Sequence, residues 1–348
     1  MTFGCFGCAL DALDAPEKMA MKLAYLGAKA EGLLGEGTAR DPYDLLTPLL
    51  ADIPDLRFVG KLEIESFLTP RPGLEDADMV HPEVYRQFAD QDGCAVLSSR
   101  VSEFVRQRVL PLRPLMIGVD HSLTGGVLRA LSAGSEPLAM VVMDAHLDAI
   151  PTSVRWKAGM ALEGAEAAVA PAGEPPADLY TCGTWLTSII DEGVISAPDV
   201  LVMGVGDYPS EPQPGEKEGL AAYREAYRSL EGRGVRVLTR RTMREEGIGT
   251  AVTRALSGVE GKPLYVSIDA DFAAGERVRA VRFLDMLGLT PQEAVEAARA
   301  VGSALTGGSN RLAGVDVMEI DVHGADIPGG SDRTIPVSSE IVHALLRR

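Results

Sequence analysis

Six short apolar runs constrain this chain most: Leu115–Val119, Leu138–Met143, Val200–Val205, Val235–Leu238, Leu264–Ile268 and Leu312–Met318. They are four to seven residues long, rich in Val and Ile, and nearly continuous rather than alternating. Alternation would mark strands with one wet face. Continuous runs mark strands covered on both faces, as in a parallel sheet. Amphipathic stretches lie between them. One follows Ser122 and runs to about Ser132; another spans about Glu216 to Leu230; a third opens on Thr290-Pro-Gln-Glu293, a capping box with Pro at the first helical position. A fourth starts near Ala15-Pro16 and carries Met19, Leu23 and Leu26 at helical spacing. The Gly/Pro/Glu-rich segments Ala170 to Asp178 and Tyr208 to Glu218 read as surface loops. The alternation predicts βαβ units in a three-layer α/β/α sandwich with a central, mostly parallel sheet, as a single domain over residues 1–348.

Composition narrows the function classes. Hydrophobic residues make up 46% and charged residues 24%, which excludes a disordered or collagen-like chain. The net charge of −17 argues against a nucleic-acid partner, which would demand basic charge. It suits cationic small molecules and metal ions. No apolar run approaches the roughly 20 residues that span a bilayer, and the first residues lack a secretory pattern, so the expectation is a cytoplasmic protein with no membrane partner. Four cysteines (Cys5, Cys8, Cys94 and Cys182) do not make a disulfide framework. The lone Cys5-Phe-Gly-Cys8 spacing reads as small apolar side chains of an N-terminal strand. No dinucleotide or P-loop fingerprint is complete, so no cofactor-binding residues are expected beyond metal ligands.

In open α/β sheets, ligands bind outside the carboxyl ends of the strands. Three run ends carry acids and histidines: Gly118-Val-Asp-His-Ser122, Met143-Asp-Ala-His-Leu-Asp148 and Ser267-Ile-Asp-Ala-Asp271. Asp144, His146 and Asp148 are spaced i, i+2, i+4, and Asp269 and Asp271 are spaced i, i+2. Extended backbone puts such residues on one face. So many carboxylates in apolar surroundings would repel and desolvate without a cation. With His121, Asp144, His146, Asp148, Asp269 and Asp271 as ligands, four carboxylates balance two divalent ions. Mixed imidazole and carboxylate ligands suit Mn²⁺, and two metals sharing a water make hydroxide available near neutral pH.

In order along the chain, these clusters resemble the ureohydrolase family: arginase, agmatinase, and their guanidino- and formimino-hydrolase relatives. The late strand Gly314-Val-Asp-Val-Met-Glu319 matches as well. The wording of the motifs is similar to agmatinase-like members. The resemblance covers roughly residues 110 to 345. It implies an arginase-like fold, two Mn²⁺ ions or another divalent metal, and a homo-oligomer, trimeric or hexameric. It places His121, Asp144, Asp148 and Asp269 around one metal and Asp144, His146, Asp269 and Asp271 around the other. It implies that Glu319 pairs with a substrate guanidinium and that Asp148 assists proton transfer. The implied reaction is hydrolysis of a C–N bond in a guanidino (agmatine-like) or formimino compound, with urea or a related product released.

Three departures from the family pattern concern substrate rather than metal. Thr181-Cys-Gly-Thr-Trp185 puts Cys182 where a histidine would contact substrate. The family's Asp-Pro after the second aspartate cluster is absent. The segment Glu276-Arg-Val-Arg-Ala-Val-Arg282 follows instead, and could recognise an anionic group. Asp321 and His323 follow Glu319, and His323 could supply the missing imidazole. The alternatives are a catalytically silent metal-binding or regulatory protein on the same fold, and an amidohydrolase with a different substrate.

Overall fold

The computed structural model describes residues 2–346 except 36, 135, 162–176, 213, 260, 308, 309 and 328. Its sheet is built from β1 (Phe3–Cys8), β2 (Leu56–Lys61), β3 (Arg113–Gly118), β4 (Ala139–Met143), β5 (Val200–Val205), β6 (Arg236–Thr239), β7 (Pro263–Asp269) and β8 (Arg311–Met318). These strands pair in the order β2-β1-β3-β8-β7-β4-β5-β6, every neighbour parallel. All six apolar runs are strands, each within two residues of its expected bounds. β1 is the expected N-terminal strand. β2 is the unforeseen one: its Leu-Arg-Phe-Val-Gly-Lys sequence is half polar because it sits at the sheet edge, where one side stays wet.

The side chains of each inner strand divide between two cores. Leu115, Ile117, Val141 and Met143 pack on one face; Met116, Met140 and Val142 pack on the other. Every residue of β4 and β5 is buried, and each buried Val or Leu contributes roughly 1.5–3 kcal/mol. The same alternation separates Cys5 from Cys8, which join opposite cores. Their spacing therefore makes no paired motif.

Helices cover both faces. The foreseen ones are Pro16–Ala30, Thr124–Ser132, Glu218–Gly232 and Pro291–Gly307. In the last, the Glu293 carboxylate accepts from Thr290 N at 2.8 Å, while Glu293 N donates to Thr290 Oγ1 at 3.3 Å; this is the reciprocal cap the sequence suggests. In the first, Met19 and Leu26 are buried while Leu23 faces outward. Of the loop expected over 170–178, residues 170–176 lie outside the described residues. Most of the Tyr208 to Glu218 stretch is irregular, with the helix opening at Glu218.

Candidate metal centre

The four adjacent inner strands β3, β8, β7 and β4 end side by side. Their carboxyl ends carry His121, Glu319, Asp269 with Asp271, and Asp144 with His146 and Asp148. One local device repeats there. The Asp120, Asp144 and Asp269 carboxylates each accept, through Oδ1, the backbone N–H two residues on, at 3.0, 2.6 and 2.8 Å. This turn ends the strand and spends one oxygen on the backbone. In Asp144 and Asp269 the other oxygen is left to the site. Asp144 Oδ2 is buried without a hydrogen-bond partner among the described residues. Asp269 Oδ2 lies 3.1 Å from His121 Nδ1.

Two groups result. His121, Asp144, Asp148 and Asp269 each offer a ligand atom, all within 4.8 Å of one another; Asp144, His146 and Asp271 do the same. His121 Nδ1 is 3.0 Å from Asp148 and 3.6 Å from Asp144. His146 Nδ1 is 2.8 Å from Asp271 and 3.7 Å from Asp144. Asp144 belongs to both groups.

The far nitrogen of each histidine is anchored. His121 Nε2 lies 2.8 Å from Ser267 Oγ, and Ser267 donates its own proton to Asp316 at 2.6 Å. Ser267 Oγ therefore accepts from His121 Nε2–H, which turns the Nδ1 lone pair toward the carboxylates. Asp316 also accepts from Tyr265 at 2.7 Å and Thr124 at 2.8 Å. His146 Nε2 is held by Asp285. Such outer partners fix the tautomer that a metal requires.

The electrostatics fit a cation. Burial, then the charges of Asp271, Asp148 and Asp269, push the Asp144 carboxyl well above its usual value. Burial and Asp271 do the same to Asp269. Burial would lower the His121 imidazole, yet the Asp148 and Asp269 carboxylates, which can accept a hydrogen bond from its ring, hold it well above the ordinary histidine range. Crowded carboxylates with an orphaned buried oxygen, facing imidazole lone pairs, match two hard divalent ions and no thiolate-loving one. Asp148 and Glu319 also adopt left-handed backbone, with φ of 50° and 61°. Non-glycine residues reach that region at a cost, and it is found where side chains must be aimed.

A cavity of about 620 Å³ opens onto the cluster at His146 and Asp148, with Arg155, Asp207, Tyr208 and Tyr223 along its wall. A larger cleft of about 1090 Å³ among the helices holds none of the cluster's residues; the chemistry, not the size, selects the smaller one. Glu319 and Cys182 stand beside the cluster with Asp120, their ligand atoms within 4.8 Å of one another. Burial, then the charge of Asp120, keeps the Cys182 thiol well above its ordinary value. His323 is placed elsewhere: its Nε2 lies 2.9 Å from Pro70 O, and its ring meets Tyr25 edge-on. Arg282 does not face solvent; it is buried against Asp120 and Glu319.

A sequence model of the arginase family matches residues 58–343. The chain belongs to the arginase family. Among curated relatives, it is 30% identical over 211 residues to proclavaminate amidinohydrolase of Streptomyces clavuligerus, covering 59% of this chain and 53% of that one. It is 22% identical over 209 residues to human mitochondrial guanidino acid hydrolase, covering 60% and 49%. The match thus spans about half the length of either relative. The fold is similar to that of the Streptomyces clavuligerus enzyme (TM-score 0.58, 22% identity, 99% of this chain and 90% of that one). It is equally similar to arginase from Bacillus cereus (TM-score 0.58, 14% identity, 100% and 99%). Formimidoylglutamase from Bacillus subtilis compares likewise (TM-score 0.60, 14% identity, 100% and 87%).

Within this family member, the residues that sequence reasoning passed over are the anchors. Ser267 and Asp316 lie inside quoted motifs, and a charged residue within the apolar run of β8 was the available signal. Asp285 comes from an irregular segment with no pattern to mark it, whereas Arg282 closes the basic stretch read as a site for an anionic substrate group and instead meets the chain's own Asp120 and Glu319.

Proposed function

We propose that this chain is a metal-dependent hydrolase of the arginase family that cleaves a C–N bond in a guanidino or formimino compound. The observation that carries the reading is Asp144, shared by two converging ligand groups with one buried oxygen unused. His121, Asp144, Asp148 and Asp269 would hold one divalent ion; Asp144, His146, Asp269 and Asp271 would hold the other, with Mn²⁺ the first choice. When bound, such a pair supplies Lewis acidity and an activated water.

The chain's own residues do the rest. The roughly 620 Å³ cavity admits a small linear molecule and leads it to Asp148. Trp185 Nε1 donates to Asp148 Oδ2 at 3.3 Å, and the Trp185 ring lies tilted against that of His121, 4.9 Å away. These contacts aim a carboxylate that reaches both cluster and cavity, where it can carry a proton to the leaving nitrogen. Glu319 presents a carboxylate complementary to a planar amidine. Cys182 stays a neutral thiol beside it. His323, turned to Pro70, takes no step. The names of the two curated relatives favour a guanidino acid over an agmatine-like amine, and Arg155 on the cavity wall suits a carboxylate tail. We place the protein in the cytoplasm as a homo-oligomer.

Metal analysis joined to product analysis tests this. Two equivalents of Mn²⁺ per chain and release of urea from a guanidino compound, or of formamide or ammonia from a formimino compound, are expected. A full metal complement with no turnover across both panels would instead establish the catalytically silent reading, which Cys182 in the histidine position favours. Release of a different product from an amide would establish an amidohydrolase.

A further inference from the structure

Beside the metal ligands sits a cation that the chain supplies itself. Arg282 is 4% exposed, and the two carboxylates it meets, Asp120 and Glu319, are each 3% exposed. Its backbone is fixed: Arg282 N donates to Glu319 O at 2.8 Å, and Val281 bridges antiparallel to Ile320. Its Nη1 donates to Asp120 Oδ2 at 2.7 Å and lies 3.4 Å from Glu319 Oε1, while Nε is 3.5 Å from Asp11 Oδ1. Glu319 Oε1 already accepts from His121 N at 2.7 Å. The second oxygen, Oε2, is buried and has no hydrogen-bond partner among the described residues.

We propose that Arg282 is a positioning residue: it permanently occupies the Asp120–Glu319 carboxylate pair and leaves Glu319 Oε2 as the oxygen that meets the substrate. This rests on the reading of Glu319 as the carboxylate facing the substrate's amidine. A free carboxylate and a guanidinium join through two parallel N–H···O bonds. Here one oxygen is taken by two donors of the chain, so the incoming planar group gets a single-point contact. The carboxylate is aimed before substrate arrives, and some affinity is exchanged for orientation. Without Arg282, two buried carboxylates lose their cation, and Glu319 is free to take a guanidinium by both oxygens. The substrate would then bind more tightly and in the wrong place.

Arg282→Ala tests this, because it opens a space of guanidinium shape. A guanidino substrate is expected to show kcat lowered roughly 100-fold, the scale of an ångström of misplacement, with KM lowered rather than raised. Guanidinium chloride at about 10 mM should raise the melting temperature of the variant and restore part of kcat, as a ligand of the native state does, and should leave the unaltered protein's melting temperature unchanged. Arg282→Lys should keep most of the stability and little of the kcat. A fall in kcat with KM unchanged, and no response to guanidinium, would overturn the proposal by reducing Arg282 to a structural residue. If Arg282→Ala fails to fold, the same readings are taken on Arg282→Ala with Asp120→Asn, which removes one uncompensated charge. The melting shift needs no turnover. Its presence in a protein that hydrolyses no guanidino compound would overturn the substrate reading of Glu319 and still place the guanidinium.

Discussion

The two histidines of the cluster stand in opposite surroundings. The His121 side chain is 0% exposed, and its far nitrogen rests on Ser267, which rests on Asp316, which is itself held by Tyr265 and Thr124. Those residues lie on β7, β8 and the helix Thr124–Ser132, so the core of the protein sets the ring. The His146 side chain is 24% exposed and lines the cavity, and its far nitrogen rests on Asp285, 29% exposed on an irregular segment. One half of the centre is therefore preorganised by packing, and the other is held from a loop and open to solutes. A buried, fully connected network is rigid and unforgiving of loss, whereas water can replace an exposed partner.

The residue common to both halves should give the largest effect. Asp144→Ala is expected to abolish bound metal in both positions and lower turnover by on the order of 10³-fold or more, as removal of an essential group does. Elemental analysis beside an activity assay checks it, and two retained equivalents would dissolve the shared-ligand picture. Next, Ser267→Ala should weaken metal binding in the buried half by roughly 10–100-fold. Asp285→Ala should weaken the open half by no more than about 10-fold, because solvent substitutes for its carboxylate. Equal losses by calorimetric titration would erase the distinction. Graded chelation sharpens the same point: the ion beside His146 is expected to leave first, giving two phases, and a single phase would mean the halves are one unit.

The smallest effect belongs to a residue outside both halves. A hydrogen bond from Arg244 holds Glu293 down at about 2, against partial burial. The sign follows from that depression. The stabilisation is fully present above the usual glutamate value, about 4.5, and fades as pH falls through about 2. Arg244 is 42% exposed, so Glu293→Gln should cost only about 0.5–1 kcal/mol at pH 7, vanish in strong acid, and leave metal binding unchanged. Denaturant titrations at pH 7 and pH 2 check it.

The halves also differ in how legible they were. The cluster could be read because strand geometry repeats every two residues: Asp144-Ala-His and Asp269-Ala-Asp declare a shared face at a run end. The parallel sheet was readable from continuous apolar runs. Its strand order was not, because crossovers through helices let β8 insert between β3 and β7 without a local trace. Asp285 and Arg282 were hidden for a similar reason. Each reaches the centre by a path fixed only by tertiary packing, and Arg282, which closes a basic stretch expected to meet an anionic substrate group, meets the chain's own carboxylates instead. His323 shows the converse: proximity in sequence to Glu319 did not bring its ring to the cluster, since the Asp321 turn directs it toward Pro70.

Gly204 carries a φ of 101°, and a methyl group there would sit 2.4 Å from the Phe272 ring and 2.9 Å from Asp144 O. The strand β5, which supplies no ligand, thus governs how far the Asp144 loop can settle. Any side chain at 204 would push the loop outward and loosen the cluster around Asp144. Control over the span of the cluster therefore rests with a neighbour that contributes no residue to it.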